Sequence, residues 1–180
     1  MSASAADGSR PGEIEWLLNQ LDQAFERKSW HGPNLRGSLR GVDAEQAARR
    51  PAPGRHSIWE QAVHAAYWKY AVRRRILGEA KGSFPLKGSN WFVRPEPGKL
   101  DEVSWKADLK LLTETHRSLR EAVADLKPEL LPTIPSGSAT TFRDLILGIA
   151  FHDIYHAGQI QLLKRLQGFG LSADDADEGS

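Results

Sequence analysis

Apolar residues recur at three- and four-residue spacing in four stretches of the chain, and this spacing predicts four long amphipathic helices. The predicted helices run from 13 to about 28, from 57 to about 77, from 101 to about 126 and from 142 to about 167. No stretch alternates apolar and polar residues well enough to predict a strand. We therefore predict an all-α fold: a four-helix bundle with a long crossover connection and a short accessory helix over 38–50.

Capping residues mark the start of two of these helices. Ser57 and Glu60 have the spacing of a capping box, in which each side chain accepts a hydrogen bond from the other residue's backbone amide. Thr140 or Thr141 is expected to cap the last helix, with Asp144 in its first turn near the positive end of the helix dipole. These residues place the start of the second and fourth helices.

The connection over 78–100 holds many of the glycines and prolines of the chain, together with Phe84, Trp91 and Phe92. Connections of this length in a compact domain are often functional, and one that carries aromatic residues suits the lip of a pocket. The alternative is a crossover held against the bundle by Trp91. The sequence leaves both interpretations open.

The inward face of the last helix carries polar residues. His152, His156 and Gln159 share one helical stripe with four apolar residues, Leu145, Ile149, Leu163 and Leu166. An unpaired imidazole or amide in an apolar interior costs about 1–3 kcal/mol, so a compensating partner is expected. Two histidines four residues apart present both rings on one side of a helix, where they can bind one metal ion.

A third histidine, His64, lies in the second helix within the largely apolar stretch IWEQAVHAAYWKYAV. Inward side chains from facing helices meet in the core of a bundle, so His64, His152 and His156 are the candidate metal ligands. Three protein ligands leave one coordination position free, which is typical of catalytic sites. The alternative is that all three are ordinary core histidines. His116, on the apolar stripe of the third helix, is expected to be such a core residue.

Other polar residues near the histidines have weaker claims to a role. Gln159 is a candidate for orienting the substrate or binding an imidazole, although capping a buried backbone group explains it equally well. Tyr67 and Tyr155 lie off the ligand stripe and are interpreted as packing residues. Asp153 points about 100° away from His152 and is expected to pair with another helix rather than with the metal.

Composition narrows the class of protein. The chain contains no cysteine, which excludes disulfides and thiolate zinc sites and suits a reducing cytoplasm. The 24 Lys and Arg residues nearly balance 23 Asp and Glu residues, so no general field attracts nucleic acid or acidic lipid. Neither a signal peptide nor a membrane span is expected. We predict a soluble cytoplasmic protein with a flexible lead-in over 1–12 and a disordered acidic tail over 171–180.

The two stretches SIWEQAVHAAYWKY and HDIYHAGQIQLLKRL, which contain these three histidines, strongly resemble the corresponding stretches of the DinB/YfiT-like superfamily. The resemblance covers the chain from about Glu13 to Gly168 and implies one domain over 13–170. It implies a four-helix bundle that holds a divalent metal ion through one histidine on the second helix and two on the last. The matching residues here are His64, His152 and His156.

The resemblance also implies a class of activity. Members of this superfamily include metal-dependent transferases that use a low-molecular-weight thiol such as bacillithiol, mycothiol or glutathione, and related isomerases and hydrolases. We therefore predict a metal-dependent S-transferase, hydrolase or isomerase that acts on a small molecule and forms a homodimer. Nickel or zinc is the expected ion, with iron or manganese as alternatives. A non-catalytic metal-binding or stress-related bundle protein is the alternative function, and a purely structural dimer is a third.

Overall fold

The structure, a computed structural model, describes residues 12–168, and this part of the chain contains six α-helices, one short 3-10 helix and no strand. The helices are α1 (Glu13–Phe25), α2 (Leu35–Ser38), α3 (Ala44–Ala48), α4 (Ile58–Leu77), α5 (Glu102–Ala124) and α6 (Phe142–Leu166), and the 3-10 helix is Pro128–Leu130. The predicted all-α class is confirmed. Except for Gly12, the predicted lead-in and the predicted acidic tail lie outside the described residues.

The four longest helices pack on one another as a bundle. Helix α1 contacts α5 and α6, and α4 contacts the same two helices. The short helices add to the outside of this bundle, with α2 against α6 and α3 against α4. None of the helices within residues 12–168 combines the length and apolar character needed to cross a membrane.

The first half of the chain departs from the predicted boundaries. Helix α1 ends at Phe25, three residues before the predicted Lys28, because the Arg27 amide already bonds the Asp22 carbonyl oxygen (2.7 Å) and the chain turns away. Of the accessory helix predicted over 38–50, residues 44–48 are helical as α3, and a second short helix, α2, ends at Ser38. Gly41 between them has a φ of +76°, a conformation that interrupts a helix and favours glycine.

The caps predicted for the two site-bearing helices are confirmed. The Ser57 hydroxyl accepts from the Glu60 amide (3.2 Å) and the Glu60 carboxylate accepts from the Ser57 amide (3.0 Å), which forms the capping box of α4. At the start of α6, the Thr141 hydroxyl accepts from the Asp144 amide (3.1 Å). These bonds fix where both helices enter the bundle.

A polar layer crosses the interior between two apolar clusters. One cluster includes Ala62, Ala65 and Ala66 of α4 and Ile160 and Leu163 of α6. The other includes Val72 of α4 and Ile146, Ile149 and Ala150 of α6. Between these positions α4 buries Lys69, and α6 buries Asp153 and His156. Helices α4 and α6 therefore lie antiparallel, with polar side chains meeting at mid-height.

Candidate metal centre

The three histidines predicted as ligands converge on one point in the polar layer. His152 Nε2 lies 3.1 Å from His64 Nε2 and 3.2 Å from His156 Nε2. His64 and His156 are almost completely buried and His152 is partly exposed. One ligand atom from each ring lies within 4.8 Å of those of the other two, so the group, hereafter the histidine group, could hold a metal ion.

The hydrogen bonds behind the rings fix which nitrogens face the centre as acceptors. His64 Nδ1 lies 2.8 Å from the carbonyl oxygen of Asn90, so Nδ1 carries the proton and donates it. His156 Nδ1 lies 3.3 Å from Gln61 Oε1 and donates in the same way. In the neutral rings both Nε2 atoms then present lone pairs toward His152. Metal-binding histidines are commonly oriented by such bonds on the far nitrogen.

The spacing of the nitrogens suits a small divalent ion. Two nitrogens bound to one zinc ion at about 2.0–2.1 Å and at a tetrahedral angle lie about 3.3 Å apart. The observed separations of 3.1 and 3.2 Å are close to this value. Three neutral imidazoles offer at most one N–H to share among three converging nitrogens, whereas a cation satisfies all three lone pairs. The donor set therefore fits a metal.

Burial also keeps the three imidazole rings neutral, which is the protonation state that binds metal ions. Burial, together with the neighbouring His156, His64 and Lys69, lowers the pKa of His152 to about 3. Burial likewise lowers the pKa of His156 to about 4, although a side-chain interaction with Gln159 opposes the fall. The pKa of His64 is lowered by burial, against the effect of its bond to Asn90. All three rings are neutral at physiological pH and can act as ligands.

The long connection over 78–100 closes one side of the histidine group. The Trp91 ring lies flat between two imidazoles, with centroids 3.8 Å from His64 and 3.5 Å from His56. The Asn90 side chain accepts a hydrogen bond from Trp68 Nε1 (3.0 Å), while its backbone carbonyl holds His64. Trp91 therefore holds the crossover against the bundle, as the second interpretation expects, and covers one face of the His64 ring.

Two pockets adjoin the histidine group. The first, which we call the α4–α6 pocket, has a volume of about 420 Å³ and is lined by His152 at one end. The second, the loop pocket, has a volume of about 770 Å³ and is formed by α4 and the connection up to Asn90. Trp68 and Arg75 line both pockets. Of the two, the α4–α6 pocket contains a residue of the histidine group, whereas the loop pocket reaches only Asn90, whose carbonyl oxygen bonds His64.

Several other predicted positions are now located. His116 is buried against the Phe25 ring, with centroids 3.8 Å apart, and is not part of the histidine group. Asp153 pairs with Lys69 of α4, so the expectation that it pairs with another helix is confirmed. Tyr67 packs against the aromatic rings of the connection, as expected.

The predicted core face of α6 is wrong at one position. Leu166, predicted on the core face of α6, is 67% exposed, because it lies on the outer face of the helix with Tyr155 and Leu162. Tyr155, expected to pack, is 63% exposed and touches the site only through the His156 ring (5.1 Å between centroids). Gln159 is partly buried one turn beyond His156, and its role in orienting substrate stays a prediction.

Three important residues were missed in the sequence. Gln61 lies three residues before His64 on the same helix face, and this spacing was an available signal. Lys69 was hidden in an apolar stretch, where its hydrocarbon stem suits burial once a carboxylate is present. Asn90 bonds His64 through its backbone carbonyl, and no pattern of side chains in the sequence predicts such a contact.

Comparison with known families agrees with the resemblance carried by the histidine-containing stretches. A family model of the DinB superfamily matches residues 29–160, which include α4, the connection, α5 and most of α6. No curated protein and no solved structure matches the chain. The family match covers well over half of the 180 residues and includes all three residues of the histidine group, and on this basis the chain belongs to the DinB superfamily.

Proposed function

We propose that this protein binds one divalent metal ion through His64, His152 and His156 and uses it in an S-transfer reaction with a low-molecular-weight thiol, or in a related hydrolysis or isomerisation. The observation that carries the proposal is the convergence of three Nε2 atoms from two helices, at 3.1 and 3.2 Å across His152. Three protein ligands suit a catalytic rather than a structural ion. Nickel or zinc is the proposed ion.

The chemistry of the bound ion would be to lower the pKa of a water or thiol that enters the site. The chain's own residues supply orientation and shielding. Asn90 and Gln61 hold two imidazoles in the tautomer that presents Nε2, and the Trp91 ring excludes water from one face of His64. Since the chain has no cysteine, the sulfur of an S-transfer would come from a diffusible cosubstrate. Gln159 is the proposed substrate-orienting residue.

Metal content per chain tests the site. We expect about one ion per chain in the parent protein and loss of that ion in His64→Ala and His152→Ala, with the helical circular dichroism signal retained. His31→Ala is the matched control, because His31 lies in an exposed loop and bonds only the Ser29 hydroxyl (2.8 Å) among the described residues. Full retention of metal in both site variants would overturn the proposal. So would a parent protein that takes up no metal from added divalent ions.

Turnover with a thiol tests the reaction. The metal-loaded protein is incubated with an electrophile and with bacillithiol, mycothiol or glutathione in turn, and loss of free thiol is followed. Acceleration that disappears in His152→Ala supports an S-transferase. Metal binding without acceleration of any thiol-dependent, hydrolytic or isomerisation reaction would favour the non-catalytic metal-binding or stress-related protein.

We also propose a homodimer formed through the outer face of α6. Phe151, Tyr155, Leu162 and Leu166 lie on that face and are 57–67% exposed. They recur at helical spacing with Gly158 between them, so they form one apolar stripe along the helix. Light scattering after size exclusion measures the mass: the parent is expected at twice the 20.0 kDa of one chain, and Leu162→Lys at one chain. A monomeric parent would contradict this assembly.

A further inference from the structure

The α4–α6 pocket has two chemically different ends. Its near end is lined by His152, whose Nδ1 has no hydrogen-bond partner among the described residues. Its walls are lined by Trp68, Val72, Leu145 and Ile149 and are apolar. Its far end is lined by Arg75 and by Ser138, Thr140 and Asp144. A ligand that fills the pocket would have an apolar body with a polar group beyond it.

The antiparallel register of the two helices gives the length of the pocket. On α4, Trp68 and Arg75 are seven residues apart (75 − 68), and on α6, Leu145 and His152 are also seven apart (152 − 145). At a rise of 1.5 Å per residue, each interval spans about 10 Å along the helix axis. This backbone interval is as long as an extended chain of about eight carbon atoms, at roughly 1.3 Å per bond, and the Arg75 guanidinium, which bonds the Ala71 carbonyl oxygen, lies inside it.

The far end of the pocket favours a negative charge. Within residues 12–168, Arg75 forms no ion pair with a carboxylate, and its side chain donates only to the Ala71 carbonyl (3.2 Å). Asp144 is the one acidic residue lining the pocket, and its carboxylate accepts from the Thr141 hydroxyl (2.7 Å) in the first turn of α6. The helix dipole compensates a carboxylate in that place. The Arg75 guanidinium is then the group left to bind a carboxylate of the ligand.

A glycine in the middle of α6 keeps the pocket open. Gly148 lines the pocket, and a Cβ atom built on it would meet nothing within 4 Å. Glycine is less favourable than alanine inside a helix, and here no close approach of another element to its backbone compensates that cost. The space above Gly148 is therefore part of the pocket volume rather than of the helix packing.

We infer that the α4–α6 pocket binds a small molecule with an apolar body and one carboxylate, the carboxylate at Arg75 and the body running along Trp68 toward the histidine group. This substrate class rests on the proposed function, because the near end of the pocket is the proposed metal centre. The apolar walls bind the body by burial, and Arg75 selects the charged end.

Octanoate is the probe, because its chain matches the length of the pocket and 1-octanol is its uncharged counterpart. Binding of each is measured by calorimetry to the metal-free protein and to protein loaded with zinc. We expect octanoate to bind both forms, about tenfold more tightly than 1-octanol, since a guanidinium–carboxylate pair contributes on the order of one tenfold step or more. Arg75→Gln should reduce octanoate binding to the level of 1-octanol.

Two glycine variants separate the pocket from the rest of the helix. Gly148→Leu fills the pocket and is expected to abolish binding of both probes. Gly158→Leu is the matched control, because Gly158 is the other glycine inside α6, has nothing within 4 Å of its added Cβ and lines neither pocket described above. It should bind both probes as the parent does. Because Gly158 lies on the face proposed for the homodimer, light scattering checks that the mass of this variant equals that of the parent. Both variants should keep the helical signal, because leucine is the better helix former.

Three outcomes would overturn the inference. The first is octanoate binding that needs zinc but not Arg75, which would place the carboxylate on the metal. The second is a loss of octanoate binding in Lys81→Gln or Lys87→Gln, which alter the loop pocket, together with unchanged binding in Gly148→Leu. The third is no binding at all. Metal content is measured on every protein, so a parent that binds octanoate as expected but takes up no metal contradicts the proposed function and leaves the pocket assignment standing.

Discussion

The ring of Trp91 lies parallel to the ring of His64, with centroids 3.8 Å apart and an angle of 11° between the planes. The same indole stacks on His56 on its other face, at 3.5 Å and 3°. A residue of the long connection is therefore locked between two histidines of the segment around the start of α4. The position of His64 depends on this contact as well as on its hydrogen bond to Asn90.

Removing the Trp91 ring should weaken metal binding without unfolding the protein. We expect Trp91→Ala to lower metal affinity about tenfold, because groups that orient a ligand histidine typically contribute 10–100-fold. Trp91→Phe keeps a flat ring and should lose less. Competition with a chromophoric chelator measures the affinity. Trp30→Ala is the control, since Trp30 is 100% exposed, and an equal loss there would contradict a specific role for Trp91.

Gln61 should act on the metal through His156. Gln61→Leu leaves the His156 Nδ1 proton without its acceptor, and we expect metal affinity to fall about tenfold. Gln61→Glu retains an oxygen at the same reach and should bind metal at least as tightly as the parent. The same chelator competition reads out both variants. Equal affinities in the leucine and glutamate variants would show that the hydrogen bond does not matter.

The pair of Lys69 and Asp153 should be strongly coupled. Both side chains are completely buried, so Lys69→Met leaves an uncompensated carboxylate and should cost about 3–5 kcal/mol of unfolding free energy. The double variant Lys69→Met, Asp153→Leu removes both charges and should recover most of that loss. Urea unfolding of the parent, of Lys69→Met, of Asp153→Leu and of the double variant gives the coupling free energy. The exposed pair Arg36 and Glu26 is the control, with an expected effect under about 1 kcal/mol.

His116 should make the metal-free protein sensitive to acid. Burial and the nearby Lys69 lower its pKa from 6.5 to about 2, so below pH 6.5 the unfolded chain holds a proton that the folded protein lacks. Stability is therefore lost as the pH falls below 6.5, at up to about 1.4 kcal/mol per pH unit for this one group. His116→Leu removes the group. Its unfolding free energy relative to that of the parent should therefore be about 2 kcal/mol higher at pH 5 than at pH 8.

Urea unfolding at both pH values, in the presence of a chelator, checks this prediction. His31→Leu is the control, because His31 lies in an exposed loop. The prediction fails if the parent and His116→Leu lose the same free energy between pH 8 and pH 5.

Most of the fold could be predicted because the long helices carry their own signals. The capping box at Ser57 and Glu60 and the cap at Thr141 use local contacts that sequence spacing determines. The region between α1 and α4 was less predictable. There Gly41, a glycine with positive φ, separates two short helices. Whether such a short helix forms depends on its tertiary packing.

The histidine group was predictable in its members but not in its surroundings. His152 and His156 share a helix face, and His64 is conspicuous among apolar neighbours, so residue type and spacing identified all three. The sequence of the connection over 78–100 has no periodic apolar pattern from which its path could be predicted. The contacts of Asn90 and Trp91 with His64 follow from that path and required the structure.

The donor set joins His64, in the first half of the chain, to residues 88 and 92 positions later (152 − 64 and 156 − 64). The group is therefore complete only when the last helix has docked against α4, and a growing or partly folded chain presents at most a pair of these nitrogens. An ion that needs all three histidine nitrogens would be retained only by the fully folded protein. Metal uptake in a refolding experiment would then record the docking of α6 against α4.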